Sequence, residues 1–279
     1  MLEELKNKNC VITGGAGVIG HSLAKGLAAA GINMAVLDLD EQGAIRVSDE
    51  LAKAYQIKSI GLKGNVLEHE SLEAAKEQIH DKLGKIDFLV NCAGGNSPKA
   101  TTKVEYMDKD SMKHLEDTFF GLSLEGFDFV FDLNFKGTLL PTMVFTKDML
   151  ENQAGAILNI SSMNSFRPLT KIPAYSAAKS AINNFTQWLS VHFAKTGIRV
   201  NAIAPGFFLT NQNRFLLTDE KTGEPTARGM KIIQSTPMGR YGDVEELSGT
   251  AVYLLSDLSR FVTGIVIPVD GGYSAYGGV

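Results

Sequence analysis

The run Asn9-Cys10-Val11-Ile12-Thr13-Gly14-Gly15-Ala16-Gly17-Val18-Ile19-Gly20 decides how the rest of this 279-residue chain is read. Its first five residues form an apolar strand candidate, and Leu23, Leu27 and Ala30 follow the glycines at helical spacing. A strand, a glycine turn and a helix in that order can cradle a pyrophosphate. Glycines permit positive φ and let backbone N–H groups approach phosphate oxygens, while the helix presents its electropositive N-terminus. Gly14, Gly17, Val18, Ile19 and Gly20 are therefore candidate cofactor contacts, with Gly20 also allowing helix and strand to pack closely. A purely structural turn would look the same, so a second signal is needed. It comes at Asp38, which ends the next strand candidate in Val36-Leu37-Asp38-Leu39-Asp40. A carboxylate there accepts hydrogen bonds from ribose hydroxyls and repels a 2′-phosphate. Neither Gly15 nor Leu39 offers a compensating cation, so NAD is expected over NADP. Asp40 reads equally well as a helix cap.

Working outward, apolar runs rich in Val and Ile recur at Asn33 to Asp38, Ser59 to Leu62, Ile86 to Asn91, Ala156 to Ser161, Arg199 to Ala204 and Gly264 to Val269, with helix-period stretches between. With Asn9 to Thr13 these make about seven strands. Continuous apolar strands alternating with helices predict an α/β fold, a doubly wound parallel sheet with helices on both faces and ligands at the strands' carboxyl ends. No low-complexity linker, charge block or fixed-period repeat interrupts the pattern, so residues 1–279 are expected to form one domain. Residues 95–125 and 207–236 break the rhythm and read as substrate loops, or as surface decoration.

Composition narrows the function classes. With 27 Lys and Arg against 31 Asp and Glu, and no basic cluster, nucleic acid and anionic membrane surfaces are poor partners. The start Met1-Leu2-Glu3-Glu4-Leu5-Lys6 lacks the features of a signal peptide, and no apolar run reaches the ~18 residues of a membrane span. A soluble, cytoplasmic protein is expected. Cys10 and Cys92 form no CxxC or Cys/His spacing, which predicts reduced core thiols and no metal site.

The candidate chemistry sits in Pro173-Ala174-Tyr175-Ser176-Ala177-Ala178-Lys179, which opens a helix continuing through Ile182, Phe185, Trp188 and Leu189. Tyr175 and Lys179 are four apart and share a face. An ammonium near the phenol favours the phenolate and suits the tyrosine to proton transfer near neutrality. Such a pair is common on surface helices, and its meaning depends on company. Thirteen residues earlier the strand Ile157-Leu158-Asn159-Ile160-Ser161 runs into Ser162, whose hydroxyl can reach a reacting oxygen at the strand end; Ser161 alternates to the other face.

Together the segments Thr13-Gly14 to Gly20, Asn91-Cys92-Ala93-Gly94, Asn134, Ser162, Tyr175-x-x-x-Lys179, Pro205-Gly206 and Asp270-Gly271-Gly272 resemble the short-chain dehydrogenase/reductase family over nearly the whole sequence. The resemblance implies a Rossmann-type sheet, a homotetramer and an Asn134, Ser162, Tyr175 and Lys179 catalytic set. Ser162 would polarise the substrate oxygen and Tyr175 exchange its proton. Lys179 would hold the nicotinamide ribose and lower the tyrosine's pKa, and Asn134 would position a relay water. It also places Leu39, Val66, Asn91, Ala93, Gly94, Pro205, Gly206, Phe208 and Thr210 around the cofactor, Thr210 at its carboxamide. Three positions depart from the family pattern. Val18 stands at the usual middle glycine of the phosphate turn. Asn65 replaces an aspartate that meets the adenine amino group, leaving an amide oxygen for that contact. Cys92 replaces an asparagine that often braces the sheet, and packing is expected to compensate.

A narrower resemblance rests on Gly94-Gly95-Asn96-Ser97-Pro98-Lys99-Ala100-Thr101-Thr102, Ser161-Ser162-Met163-Asn164-Ser165-Phe166, Leu169-Thr170-Lys171-Ile172-Pro173 and Ala204-Pro205-Gly206-Phe207-Phe208. These look like the bacterial D-mannonate oxidoreductase (fructuronate reductase) branch of that family, which implies interconversion of D-fructuronate and D-mannonate. A sugar acid needs a cation for its carboxylate and amides for its hydroxyls. Asn96, Ser162, Asn164, Arg167 and Tyr175 are the candidate substrate contacts, with Arg167 first for the carboxylate and Lys99 and Lys171 behind it. Other polyols or aldonates such as gluconate, and a non-catalytic NAD(H) sensor, are the competing readings.

Overall fold

Alternation along the strands builds two apolar layers. Cys10 and Ile12 of the first strand point into one, and Val11 between them points into the other. The computed structural model describes residues 2–210, 214–219 and 222–278. Its strands are β1 (Asn9–Thr13), β2 (Asn33–Asp38), β3 (Ser59–Lys63), β4 (Phe88–Asn91), β5 (Gly155–Ile160), β6 (Ile198–Pro205) and β7 (Val266–Val269). They form one sheet in the order β3-β2-β1-β4-β5-β6-β7, every pairing parallel. The helices are α1 (Val18–Ala29), α2 (Glu41–Tyr55), α3 (His69–Lys82), α4 (Leu124–Phe131), α5 (Gly137–Phe145), α6 (Lys147–Asn152), α7 (Pro173–His192), α8 (Arg214–Leu217), α9 (Ala227–Ser235) and α10 (Ser248–Leu255).

Leu23 and Leu27 of α1, Val47 and Leu51 of α2, and Leu254 of α10 cover one face. Leu72 and Ile79 of α3, Phe145 of α5, and Phe185 and Leu189 of α7 cover the other. This is the doubly wound, Rossmann-type α/β architecture expected from the strand pattern. The sheet reverses its direction of growth after β3, so β1 and β4 lie side by side and their carboxyl ends open a crevice between them.

The strand limits shift where side chains capture backbone groups. β4 starts at Phe88 and not at Ile86, because the Ile86 N–H donates to the Asp148 carboxylate at 2.9 Å and is lost to the ladder. Residues 95–125 carry short 3₁₀ turns, at Pro98–Ala100, Ser111–Lys113, Leu115–Asp117 and Phe119–Gly121, before α4 begins. Residues 207–236 hold α8 and α9; Thr226 caps α9 by accepting the Gly229 N–H at 3.1 Å, and Ile232 anchors it. Between α4 and α5 a π-helical turn, Asp132–Lys136, shifts the helix register and turns Asn134 inward. No helix among the described residues is long and apolar enough to cross a membrane.

Buried amides tie the sheet to its covering helices. Asn91 donates through Nδ2 to Thr142 Oγ1 and to Asn159 Oδ1, each at 2.9 Å, and Asn159 in turn donates to Thr186 Oγ1 at 2.9 Å. Asn91 therefore braces β4, β5, α5 and α7. Cys92 carries none of that load: its N–H donates to Thr13 Oγ1 and its side chain packs against the apolar layer. Both cysteines are free thiols, and burial pushes the Cys92 thiol up to about 12.

Candidate active site

A cavity of about 720 Å³ opens at the carboxyl ends of the central strands. One wall is the glycine turn. Gly14 adopts φ +64°, and a Cβ there would lie 2.9 Å from the Ala93 Cα, so only glycine lets the turn close against the end of β4. The N-terminus of α1 has no capping side chain and no acidic residue in its first turn, which leaves its amides for an anion. Asp38 stands across from it. Its Oδ2 accepts the Ala16 N–H at 3.0 Å and its Oδ1 accepts the Asp40 N–H at 3.1 Å, so the carboxylate is fixed against the turn it faces. These features fit a dinucleotide with its pyrophosphate at α1 and its adenosine ribose at Asp38.

Of the expected cofactor positions, Gly14, Gly17, Val18, Ile19, Gly20, Asp38 and Leu39 line the near half of the cavity, and Val66, Ala93, Gly94, Pro205, Gly206, Phe208 and Thr210 continue the wall. Two do not line it. Asn91 is the buried brace below the floor. Asn65 closes a local turn, accepting the Leu67 N–H at 3.1 Å and donating to Glu68 Oε1 at 2.7 Å, while its neighbours Gly64 and Val66 form the wall.

The candidate catalytic groups converge on the same space. Ser162, Tyr175 and Lys179 all line the cavity. Ser162 lies in extended backbone just past β5, and its Oγ accepts the Asn164 N–H at 3.2 Å, which directs the hydroxyl proton away from the backbone. Lys179 is buried, donates to the Ile160 carbonyl at 2.8 Å, and places Nζ 5.6 Å from the centre of the Tyr175 ring. Burial pushes its ammonium down to about 8. Tyr175 moves upward, also through burial, with the hydrogen bond from Ser162 pulling the other way. Desolvation and not the ammonium thus sets the direction for the phenol in the protein's own field. Asn134 is fully buried and its carboxamide is committed: Oδ1 accepts the Gly95 N–H at 3.3 Å, and Nδ2 donates to the carbonyls of Gly95 at 2.7 Å and Val130 at 2.8 Å. It ties the β4 loop to the turn between α4 and α5. Gly94 lies beneath this clamp, where a Cβ would come within 2.7 Å of Asn134 Oδ1 and 3.2 Å of Lys179 Nζ. Ser161, as expected from alternation, turns toward α7 and bonds Asn183 Oδ1 at 2.5 Å.

The substrate candidates separate. Asn164 is buried beside Ser162 and, against expectation, does not line the cavity; its side-chain oxygen has no hydrogen-bond partner among the described residues. Asn96 is exposed, does not line the cavity, and donates to Thr101 Oγ1 at 3.0 Å. Arg167 donates to the Tyr276 carbonyl and lines a different cavity, formed with the C-terminal segment. Lys99 pairs with Glu125 at 3.0 Å, and Lys171 donates to the Lys103 carbonyl at 2.6 Å. Leu133, Ile160 and Phe207 also line the cavity, although no motif in the sequence points to them as site residues. For Phe207 a positional signal exists, since it follows Pro205-Gly206 at the end of β6.

Comparison with known proteins agrees with this geometry. Residues 14–274 match a family model described as enoyl-(acyl carrier protein) reductase. The chain is 52% identical to an uncharacterized oxidoreductase of Haemophilus influenzae over 99% of its length and 96% of that protein. It is 47% identical to the uncharacterized oxidoreductase UxuB of Bacillus subtilis, over 99% of this protein and 98% of that one. A solved structure from Haemophilus influenza with bound NAD, provisionally described as a D-mannonate oxidoreductase, superposes with a TM-score of 0.93 at 52% identity, covering 99% of this protein and 98% of that one.

Proposed function

The chain belongs to the short-chain dehydrogenase/reductase family, and on that premise we propose that it transfers a hydride between NAD(H) and a CH–OH carbon of a sugar acid, interconverting D-fructuronate and D-mannonate. The observation that carries the reading is the convergence of Ser162, Tyr175 and Lys179 on the cavity that also presents the α1 N-terminus and Asp38. Bound at this site, NAD would supply the hydride acceptor or, when reduced, the hydride donor.

The protein's own residues do the rest. Ser162, oriented by the Asn164 amide, donates to the substrate oxygen. In reduction Tyr175 gives its phenolic proton to the oxygen that becomes the alcohol, and in oxidation it takes that proton back. Lys179 is held by the Ile160 carbonyl, and its ammonium stabilises the phenolate formed in reduction. Asn134 fixes Gly95 and so holds the β4 loop to the turn between α4 and α5, where it borders the cavity. Asp38 favours NAD by accepting from the ribose and opposing a 2′-phosphate. The 52% identity to the NAD-bound Haemophilus protein supports both the cofactor and the sugar-acid assignment.

The test is a spectrophotometric screen of hexuronates, aldonates and neutral polyols with both nicotinamide cofactors. NAD(H)-linked turnover of D-fructuronate and D-mannonate, in excess of turnover of gluconate or neutral polyols, is the expected result. Turnover confined to neutral polyols would move the substrate class. Dinucleotide binding without turnover of any compound would favour a sensor.

A further inference from the structure

A second cavity, of about 390 Å³, adjoins the catalytic one, with Phe207 in the wall of both. We propose that this second cavity is the subsite for the substrate's carboxylate and that the Arg228 guanidinium is its principal ligand. The proposal rests on the sugar-acid reading above and adds a residue to it.

The cavity is formed where α9 faces the segment 168–172 that leads into the catalytic helix. Arg228, Lys231, Ile232 and Ser235 recur at helical spacing and present one face of α9 to it. Lys171 and Ile172 come from the opposite side, three or four residues before Tyr175 in sequence, and Phe207 is the wall the cavity shares with the one that Tyr175 lines. Tyr273 packs edge-on against Phe207, ring centres 5.1 Å apart, and completes the wall.

Charge selects the ligand. Three cations, Lys171, Arg228 and Lys231, stand against one carboxylate, Glu105. Lys231 is spoken for, since its Nζ lies 3.2 Å from both Glu105 oxygens, and Lys171 donates to the Lys103 carbonyl. The Arg228 side chain has no hydrogen bond or ion pair among the described residues. Among the cavity's cations it is therefore the one left without a protein partner, on the residue type whose planar fork matches a carboxylate through two parallel hydrogen bonds. Arg167, Lys99 and Lys171 compete less well, each being engaged with a protein group.

The experiment compares wild type with R228Q, R228K and the control K99Q, each with NADH and the hexuronate or aldonate series. Loss of a paired, charge-assisted contact predicts a KM for the acid raised about 10- to 100-fold in R228Q, with kcat and the NADH dissociation constant within about threefold. R228K should lie between, because it keeps the charge and loses the fork. K99Q should match wild type. If wild type turns over none of the acids, the substrate reading fails and the subsite falls with it. If wild type turns them over and R228Q does so with unchanged KM, the subsite alone is overturned. A fall in kcat and NADH affinity with no change in KM would assign Arg228 a structural role and also overturn it.

Discussion

Replacing Gly94 by alanine tests the close contact among the β4 loop, Asn134 and Lys179. The added Cβ would sit 2.7 Å from Asn134 Oδ1, about 0.7 Å inside an ordinary contact, and 3.2 Å from Lys179 Nζ. Neither neighbour can yield freely. The Asn134 carboxamide is buried and bonded to Gly95 and Val130 at 2.7 to 3.3 Å, and Lys179 is buried and bonded to Ile160 at 2.8 Å. Displacing Asn134 by that distance breaks at least one buried hydrogen bond, costing about 1–3 kcal/mol, on top of about 1–3 kcal/mol for overpacking. The sum of about 2–6 kcal/mol lowers Tm by roughly 3–10 °C for a protein of this size. A displaced Lys179 should also cut kcat by about 100-fold. Gly249→Ala is the control, since a Cβ there meets nothing within 4 Å and the residue lies in α10; it should be neutral or stabilising by up to about 1 kcal/mol. Differential scanning calorimetry and steady-state rates of NADH oxidation read both effects. Gly94→Ala behaving like Gly249→Ala would refute the argument that the β4 loop, Asn134 and Lys179 form one rigid contact.

Two further outcomes follow from the same geometry. Asp38→Asn keeps an acceptor for the Ala16 N–H but removes the charge facing the ribose, so the ratio of kcat/KM for NAD over NADP should fall at least about tenfold; an unchanged ratio would place cofactor discrimination elsewhere. In the reductive direction the active form needs Tyr175 protonated and Lys179 charged. Burial raises the phenol, so it stays protonated, and the first group lost as pH rises is the Lys179 ammonium at about 8. The kcat/KM for the ketone should therefore be level below about pH 8 and decline about tenfold per unit above it, and a profile flat through pH 10 would contradict that assignment.

The fold was legible because its signals are local. β1 and β2 stand where the apolar runs Asn9 to Thr13 and Asn33 to Asp38 put them, and the glycine turn between β1 and α1 needs no distant partner to be recognised. Ser162, Tyr175 and Lys179 were legible for the same reason, being set by a strand end and one helical face. What escaped depends on side chains from distant segments meeting. Arg167, Lys99 and Lys171 look alike as free cations in sequence, and only tertiary contacts with Tyr276, Glu125 and Lys103 reveal that each is engaged. Asn96 and Asn164 each follow a site segment by two positions, yet one is exposed and the other buried next to Ser162. Residues 207–236 read as a loop, which hid α9, whose start depends on the Thr226 cap. Sequence could have supplied one hint, the 228, 231, 232, 235 spacing that puts Arg228 and Lys231 on a common face.

The central claim is that Tyr175 transfers the proton in an NAD-linked reaction on a sugar acid. Its most direct measurement is the turnover of D-fructuronate with NADH by Tyr175→Phe, paired with fluorescence titration of NADH. The account predicts turnover reduced by about 1,000-fold or more with NADH binding intact. Wild-type-like turnover in that variant would contradict it.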